Sequence, residues 1–154
     1  MQELTEILLV EDDPRDARLV MRELELENSK RTIEVVRDGE EALDFLFCRG
    51  AFSSRSRTHP PGLILLDLKL PKVDGLQVLR EIRENKETRS IPVVILTSSR
   101  EERDVVESYR IGINSYIQKP VDFDKFRDTI KTLGLYWLEV NQSPPKKVFN
   151  AGKP

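Results

Sequence analysis

Cysteine, histidine and tryptophan are each present once in this chain of 154 residues. With Cys48 alone, an intrachain disulfide is impossible, which agrees with a reducing compartment. The one histidine, His59, sits beside Pro60 in a polar stretch with no second metal-ligating residue at a useful spacing, so it reads as an ordinary loop residue. Long apolar runs are missing too: none approaches the ~20 residues of a membrane span. Acids arrive by residue 11, which argues against a signal peptide and for a cytoplasmic protein. Neither sign of charge dominates, with 25 basic and 27 acidic residues giving a formal charge of −2. The basic groups between Arg49 and Arg57 and at Lys146 and Lys147 are short, so nucleic acid is not an expected partner. No glycine-rich fingerprint follows the first apolar run. The residues there are EDDPRD, whose acids would repel a dinucleotide pyrophosphate.

What the chain does contain is a repeated pattern of short apolar runs alternating with amphipathic segments. Glu6 to Val10, Thr32 to Val36, Leu63 to Leu66, Val93 to Leu96 and Ser115 to Ile117 read as strands. Between and after them, stripes such as Leu76, Leu79, Ile82 and Phe126, Ile130, Leu133, Trp137 recur at helical spacing. Pro14 suits a first helical turn, Asp38 and Asp74 suit caps, and Gly112 suits a helix stop. Residues 49–61 break the rhythm and read as a loop, long for a connection of this type. Five strands and five helices in strict alternation predict an α/β fold with a parallel sheet covered on both faces by right-handed crossovers. The domain spans 1–140, followed by a polar tail over 141–154.

Two runs deliver carboxylates at their ends: Glu11, Asp12 and Asp13 after the first strand, Asp67 after the third. In open α/β sheets the chemistry collects at the carboxyl ends of the strands. Acids brought together there need a compensating charge, and a hard cation such as Mg²⁺ answers that need. Thr97 after the fourth strand and Lys119 after the fifth join the same crevice if strands one and three are central. Metal, cation and hydroxyl around a carboxylate are the parts of a phosphoryl-transfer site.

The stretches ILLVEDDP, LILLDLKLPKVDGLQVLREIR, PVVILTSS and SYIQKPVD, in this order and spacing, resemble the receiver domain of two-component response regulators. The resemblance covers residues 5 to about 138. The loop RGAFSSRSRTHPPG and the ending YWLEVNQSP are similar to single-domain regulators that partner phytochrome-type histidine kinases. It implies a doubly wound, flavodoxin-like receiver fold with strand order 2-1-3-4-5. It also implies that Asp67 accepts a phosphoryl group from a sensor kinase, and that the chain assists its own phosphorylation and dephosphorylation while acting chiefly as a switch. Mg²⁺ would be held directly by Asp13 and Asp67, through water by Asp12, and by the backbone carbonyl of Lys69. Glu11 is placed outside that set. Lys119 would contact the phosphoryl group, its bond to Pro120 being cis. Thr97 and Tyr116 would form the switch, and Ser98 would stand where relatives often have alanine.

Off the last helical stripe, Leu135, Tyr136 and Leu138, beside Trp137 on it, exceed the apolar need of one helix face. A homodimer through this region is the expected consequence. With no DNA-binding or catalytic module after the fifth helix, output should pass through a partner, a second phosphotransfer protein or self-association. A magnesium-dependent aspartyl-phosphate phosphohydrolase is the competing class. It would want an acid two residues after the nucleophile, where this chain has Lys69.

Overall fold

Apolar strands of four or five residues cannot remain solvated, and here they assemble edge to edge. The computed structural model describes residues 6–27 and 31–145. Its strands are β1 (Glu6–Val10), β2 (Thr32–Val36), β3 (Leu63–Leu66), β4 (Val93–Thr97) and β5 (Ser115–Gln118). They form one parallel sheet in the order β2-β1-β3-β4-β5. The helices are α1 (Pro14–Glu27), α2 (Gly39–Leu46), α3 (Gly75–Glu84), α4 (Glu102–Ile111) and α5 (Phe123–Gly134). This is the doubly wound, flavodoxin-like receiver fold predicted above. The tail from Lys146 lies outside the described residues.

Alternation along the strands sorts the core into two layers. Leu8, Val10, Ile64, Leu66, Val93 and Ile95 pack on one side against α2 and α3 through Leu43, Leu46, Val78, Leu79 and Ile82. Ile7, Leu9, Leu63, Leu65, Val94 and Leu96 pack on the other against α1 and α5 through Val20, Leu24, Phe126 and Ile130. Each fully buried aliphatic side chain contributes roughly 1.5–3 kcal/mol. The layers therefore hold the sheet flat against its helices, and the strand ends become fixed points.

Helix starts are set by side chains that accept orphan amide protons. Asp38 accepts from Glu41 N (2.8 Å), Asp74 from Gln77 N (3.0 Å) and Asp122 from Lys125 N (3.2 Å). At the other end of α4, Gly112 takes φ 125°, and its N–H donates to the Ser108 carbonyl (3.0 Å). A side chain is strained at that φ.

Residues 49–61 are more ordered than their composition suggests. A 3₁₀ turn over Gly50–Phe52 sets the Phe52 ring edge-on to Phe45, centroids 5.1 Å apart. Arg55 lies 3.5 Å over the same Phe45 ring, donates to Glu6 Oε1 (2.8 Å), and reaches the Phe45 and His59 carbonyls. One arginine thus staples the long loop to α2 and β1.

Beyond α5 the backbone continues as a π-helical segment, Leu135–Val140. Trp137 packs on the α1–α5 layer, as its place on the stripe predicts, and Leu138 is buried as well, so the chain itself uses both. Leu135, Tyr136 and Val140 stay exposed.

Candidate functional site

The register of β1 on β3 decides which acids meet. Ile7 pairs with Leu63, Leu9 with Leu65 and Val10 with Leu66. One further step sets Glu11 opposite Asp67, and the Asp67 amide continues the ladder to the Val10 carbonyl (3.1 Å). Both acids follow the strand face that carries Ile7, Leu9, Leu63 and Leu65, and both are buried. On the far side of β3, Lys119 N donates to the Thr97 carbonyl (2.7 Å), so β4 and β5 are also tied together where they reach the site.

Asp67 is surrounded by donors. Thr97 Oγ1 donates to its Oδ1 at 2.7 Å, Lys69 N donates to the same oxygen at 3.2 Å, and Lys119 Nζ reaches Oδ2 at 3.1 Å. Lys119 also donates to Glu11 Oε1 and to Asp16 Oδ2 (3.0 Å), so all three of its protons have carboxylate acceptors. Burial alone would lower the Lys119 pKa, but the charges of Asp67 and Glu11 outweigh it and hold the ammonium above its ordinary range. Glu11 goes up to about 7, because burial outweighs the pull of Lys119 and Asp67 adds repulsion.

Behind Asp67 the packing is tight. Gly75 opens α3 against the chain that leaves β3, and its N–H donates to the Leu68 carbonyl (2.9 Å). A Cβ there would stand 2.3 Å from the Asp67 carbonyl oxygen and 2.5 Å from Leu68 Cα, both backbone atoms. Only glycine lets the helix come this close.

Glu11, Asp12 and Asp67 place one carboxylate oxygen each within 4.8 Å of one another. This is a set of hard oxygen donors suited to a divalent cation such as Mg²⁺. Asp12 is exposed and open to an arriving ion, while Glu11 and Asp67 form the buried floor. The acid grouped with them is therefore Glu11, which the sequence reading set aside, and not Asp13. Asp13 Oδ1 instead accepts from Arg15 N (2.8 Å) and Asp16 N (3.4 Å), capping α1. Those amides, the Arg15 N–H first, lower its pKa. Strand alternation was the available signal: Leu9 points to one side, so Glu11 does too, whereas Asp13 already belongs to the helix start.

Lys69 is exposed, and its backbone amide faces Asp67. The Lys119–Pro120 peptide is trans, contrary to expectation. Lys119 needs no cis bond to turn inward, since three carboxylates already draw its ammonium into the site.

Two further residues were not read from sequence. Asp16, in the first turn of α1, supplies the third acceptor to Lys119. Ser99, two residues past β4, links the site to its surroundings: its N–H donates to Thr97 Oγ1 (3.3 Å), its hydroxyl to Asp104 Oδ2 (2.5 Å) on α4, and its carbonyl accepts from Tyr116 OH (3.3 Å). Burial, ahead of the nearby acids, raises the Tyr116 pKa, so that phenol stays protonated as the donor. Ser98 is exposed beside Lys119 on an open cleft of about 920 Å³ between α1 and α5, with Arg15, Arg18, Leu19 and Phe123 among its walls.

The chain is similar to known proteins. The response regulator receiver domain model matches residues 7–131. The chain is 40% identical over 138 residues to Response regulator Rcp1 of Synechocystis, covering 90% of this chain and 92% of Rcp1. The crystal structure of the Mn²⁺-bound form of Rcp1 superposes with a TM-score of 0.87 at 38% identity, covering 92% of this chain and 99% of that one. The bacteriophytochrome response regulator RtBRR is 49% identical, with a TM-score of 0.72, covering 96% and 90% of the two chains. Among the described residues no helix is long and apolar enough to cross a membrane. A sheet whose strand ends gather three acids, a hydroxyl and one lysine is thus found where the family model matches, and the chain belongs to the response regulator receiver domain family, which is phosphorylated on aspartate and signals through partner interaction.

Proposed function

We propose that Asp67 is the phosphoacceptor and that the chain is a cytoplasmic switch driven by a sensor histidine kinase of the phytochrome type. The observation that carries this reading is the Asp67 carboxylate itself: buried, opposite Glu11, and contacted by Thr97, Lys119 and the Lys69 amide. An Asp67 oxygen forms a bond to phosphorus as the donor's N–P bond breaks, and the electron pair returns to the imidazole nitrogen. A divalent cation would be held by Glu11, Asp12 and Asp67, with the Lys69 carbonyl as a further oxygen donor. When bound, Mg²⁺ neutralises charge on the phosphoryl oxygens. Lys119 neutralises one phosphoryl oxygen and Thr97 donates to another. The same residues serve dephosphorylation, with Ser98 at the rim of the cleft through which water enters.

The kinase's phosphohistidine approaches over the α1–α5 cleft, the open side of the site. Thr97 leaving Asp67 for the phosphoryl group removes the hydrogen bond that Ser99 N makes to its hydroxyl. Ser99 passes that change to Tyr116 and Asp104, and so to the surface of α4 and β5. Contacts made in only one state are what shift such an equilibrium. The exposed Leu135 and Tyr136, seated next to α5, support a homodimer through that region.

The test is intact-protein mass spectrometry after incubation with acetyl phosphate and Mg²⁺. One added phosphoryl group is expected in the native chain and none in Asp67→Asn. The same adduct in the variant would place the acceptor elsewhere.

A further inference from the structure

An ammonium has three protons, and in this structure each one of Lys119 meets a carboxylate: Glu11 Oε1, Asp16 Oδ2 and Asp67 Oδ2. No proton is left over for a phosphoryl oxygen. A phosphoryl group on Asp67 can bind Lys119 only if one existing acceptor lets go. The three acceptors are not equivalent. Glu11 and Asp67 are buried and belong to the acid trio that suits a cation. Asp16 stands outside that trio, on α1, with its side chain 27% exposed. Water can solvate its carboxylate once the lysine leaves. The N-terminal turn of α1 also favours a negative charge there without help from Lys119.

We propose that Asp16 is a positioning residue that holds the Lys119 ammonium in the resting site and competes with the phosphoryl group for it. This inference rests on Asp67 being the phosphoacceptor. Before phosphorylation, Asp16 pulls Lys119 toward α1 and keeps its charge balanced. On phosphorylation one Lys119 N–H exchanges Asp16 Oδ2 for a phosphoryl oxygen, with no covalent change at either residue. Asp16 thereby sets how firmly the phosphoryl group is held, and it does so from the wall of the α1–α5 cleft where a docking protein would meet it. Exposure of its carboxylate keeps the effect modest, since part-exposed ion pairs are weakened by solvent.

Beryllofluoride in the presence of Mg²⁺ is the phosphoryl mimic for the test, titrated by calorimetry into the full chain. Asp16→Asn and Asp16→Ala should bind it about five-fold more tightly than the native chain, while Asp16→Glu, which restores a carboxylate, should return toward native affinity. The gain should persist at 1 M salt, where the Debye length is about 3 Å and a diffuse charge effect is screened. Weaker or unchanged binding in both neutral variants overturns the competition. A gain that vanishes at high salt, or that Asp16→Glu retains, overturns it as well, because general electrostatics or helix stability then explains the result. Absence of binding by the native chain, with Asp67 unmodified by acetyl phosphate, removes the phosphoacceptor reading and this inference together. Native binding with no Asp16 effect removes only the inference.

Discussion

The carboxyl edge of the sheet and the segment beyond α5 each reverse the usual placement of residues. At the sheet edge, charge is buried: Glu11, Asp67 and Lys119 are 2%, 5% and 8% exposed. Beyond α5, apolar surface is left outside: Leu135, Tyr136 and Val140 are 53%, 48% and 65% exposed. The buried charges are tolerable because they satisfy one another, every Lys119 proton and both Asp67 oxygens having partners. The exposed apolar groups have no such internal solution, since the faces of α1 and α5 are already covered by Leu133, Leu138 and Trp137. One region satisfies its polar groups within the molecule, and the other leaves apolar area exposed.

Experiments that remove one region should leave the other standing. The largest effect expected is from Asp67→Asn: complete loss of phosphoryl uptake by mass spectrometry, with sedimentation behaviour unchanged. A variant that also alters self-association in the absence of any phosphodonor would join the two regions. Asp12→Ala, or chelation of Mg²⁺ in the native chain, should slow labelling by acetyl phosphate on the order of 10²-fold, the scale of losing one charge-stabilising group. Undiminished labelling under excess chelator would break the metal assignment.

Gly75→Ala tests how tightly the site is packed. Its Cβ would press on the Asp67 and Leu68 backbone, and overpacking of that kind costs about 1–3 kcal/mol in chemical denaturation. For the outer region, Leu135→Ser/Tyr136→Ser should weaken self-association at least about ten-fold, equivalent to ~1.4 kcal/mol, and leave acetyl phosphate labelling intact. An unaltered dimer by sedimentation would move the interface elsewhere.

The smallest effect concerns pH. Burial raises Glu11 from about 4.5 to about 7, so the folded chain holds a proton that the unfolded chain releases. Its contribution is fully present below the unfolded pKa and is lost as pH rises through the folded one. Native stability should therefore fall slightly between about pH 4.5 and 7 from this group, and Glu11→Gln should flatten that slope. Thermal unfolding of both chains at pH 5 and pH 7.5 checks it, and parallel slopes would refute the Glu11 origin.

Much of this protein was legible from residues alone because local physics determines it. Short apolar runs of four or five residues between helical stripes read as strands. Asp38 and Asp74 cap helices by reaching their own neighbours, and Gly112 stops α4 by its own backbone freedom. The gathering of Asp67, Thr97 and Lys119 follows from strand order, which strict βα alternation had already narrowed. The choice among consecutive acids was different in kind. Glu11, Asp12 and Asp13 are chemically near-equivalent in a string of letters; strand alternation hints at the side Glu11 takes, but the β1–β3 register sets it across from Asp67 while the start of α1 claims Asp13. Asp16 meets Lys119 across a separation of 103 residues, and Ser99 bonds to Tyr116 across 17. The same holds for Leu138, apolar surplus on a linear reading, which the π-helical turn after α5 folds onto the chain's own core. Sequence determined which elements form and which chemistry stands at their ends, because those depend on near neighbours. Tertiary packing decided which carboxylate faces which cation, because a side chain's partner is set by register and helix placement that no short stretch contains.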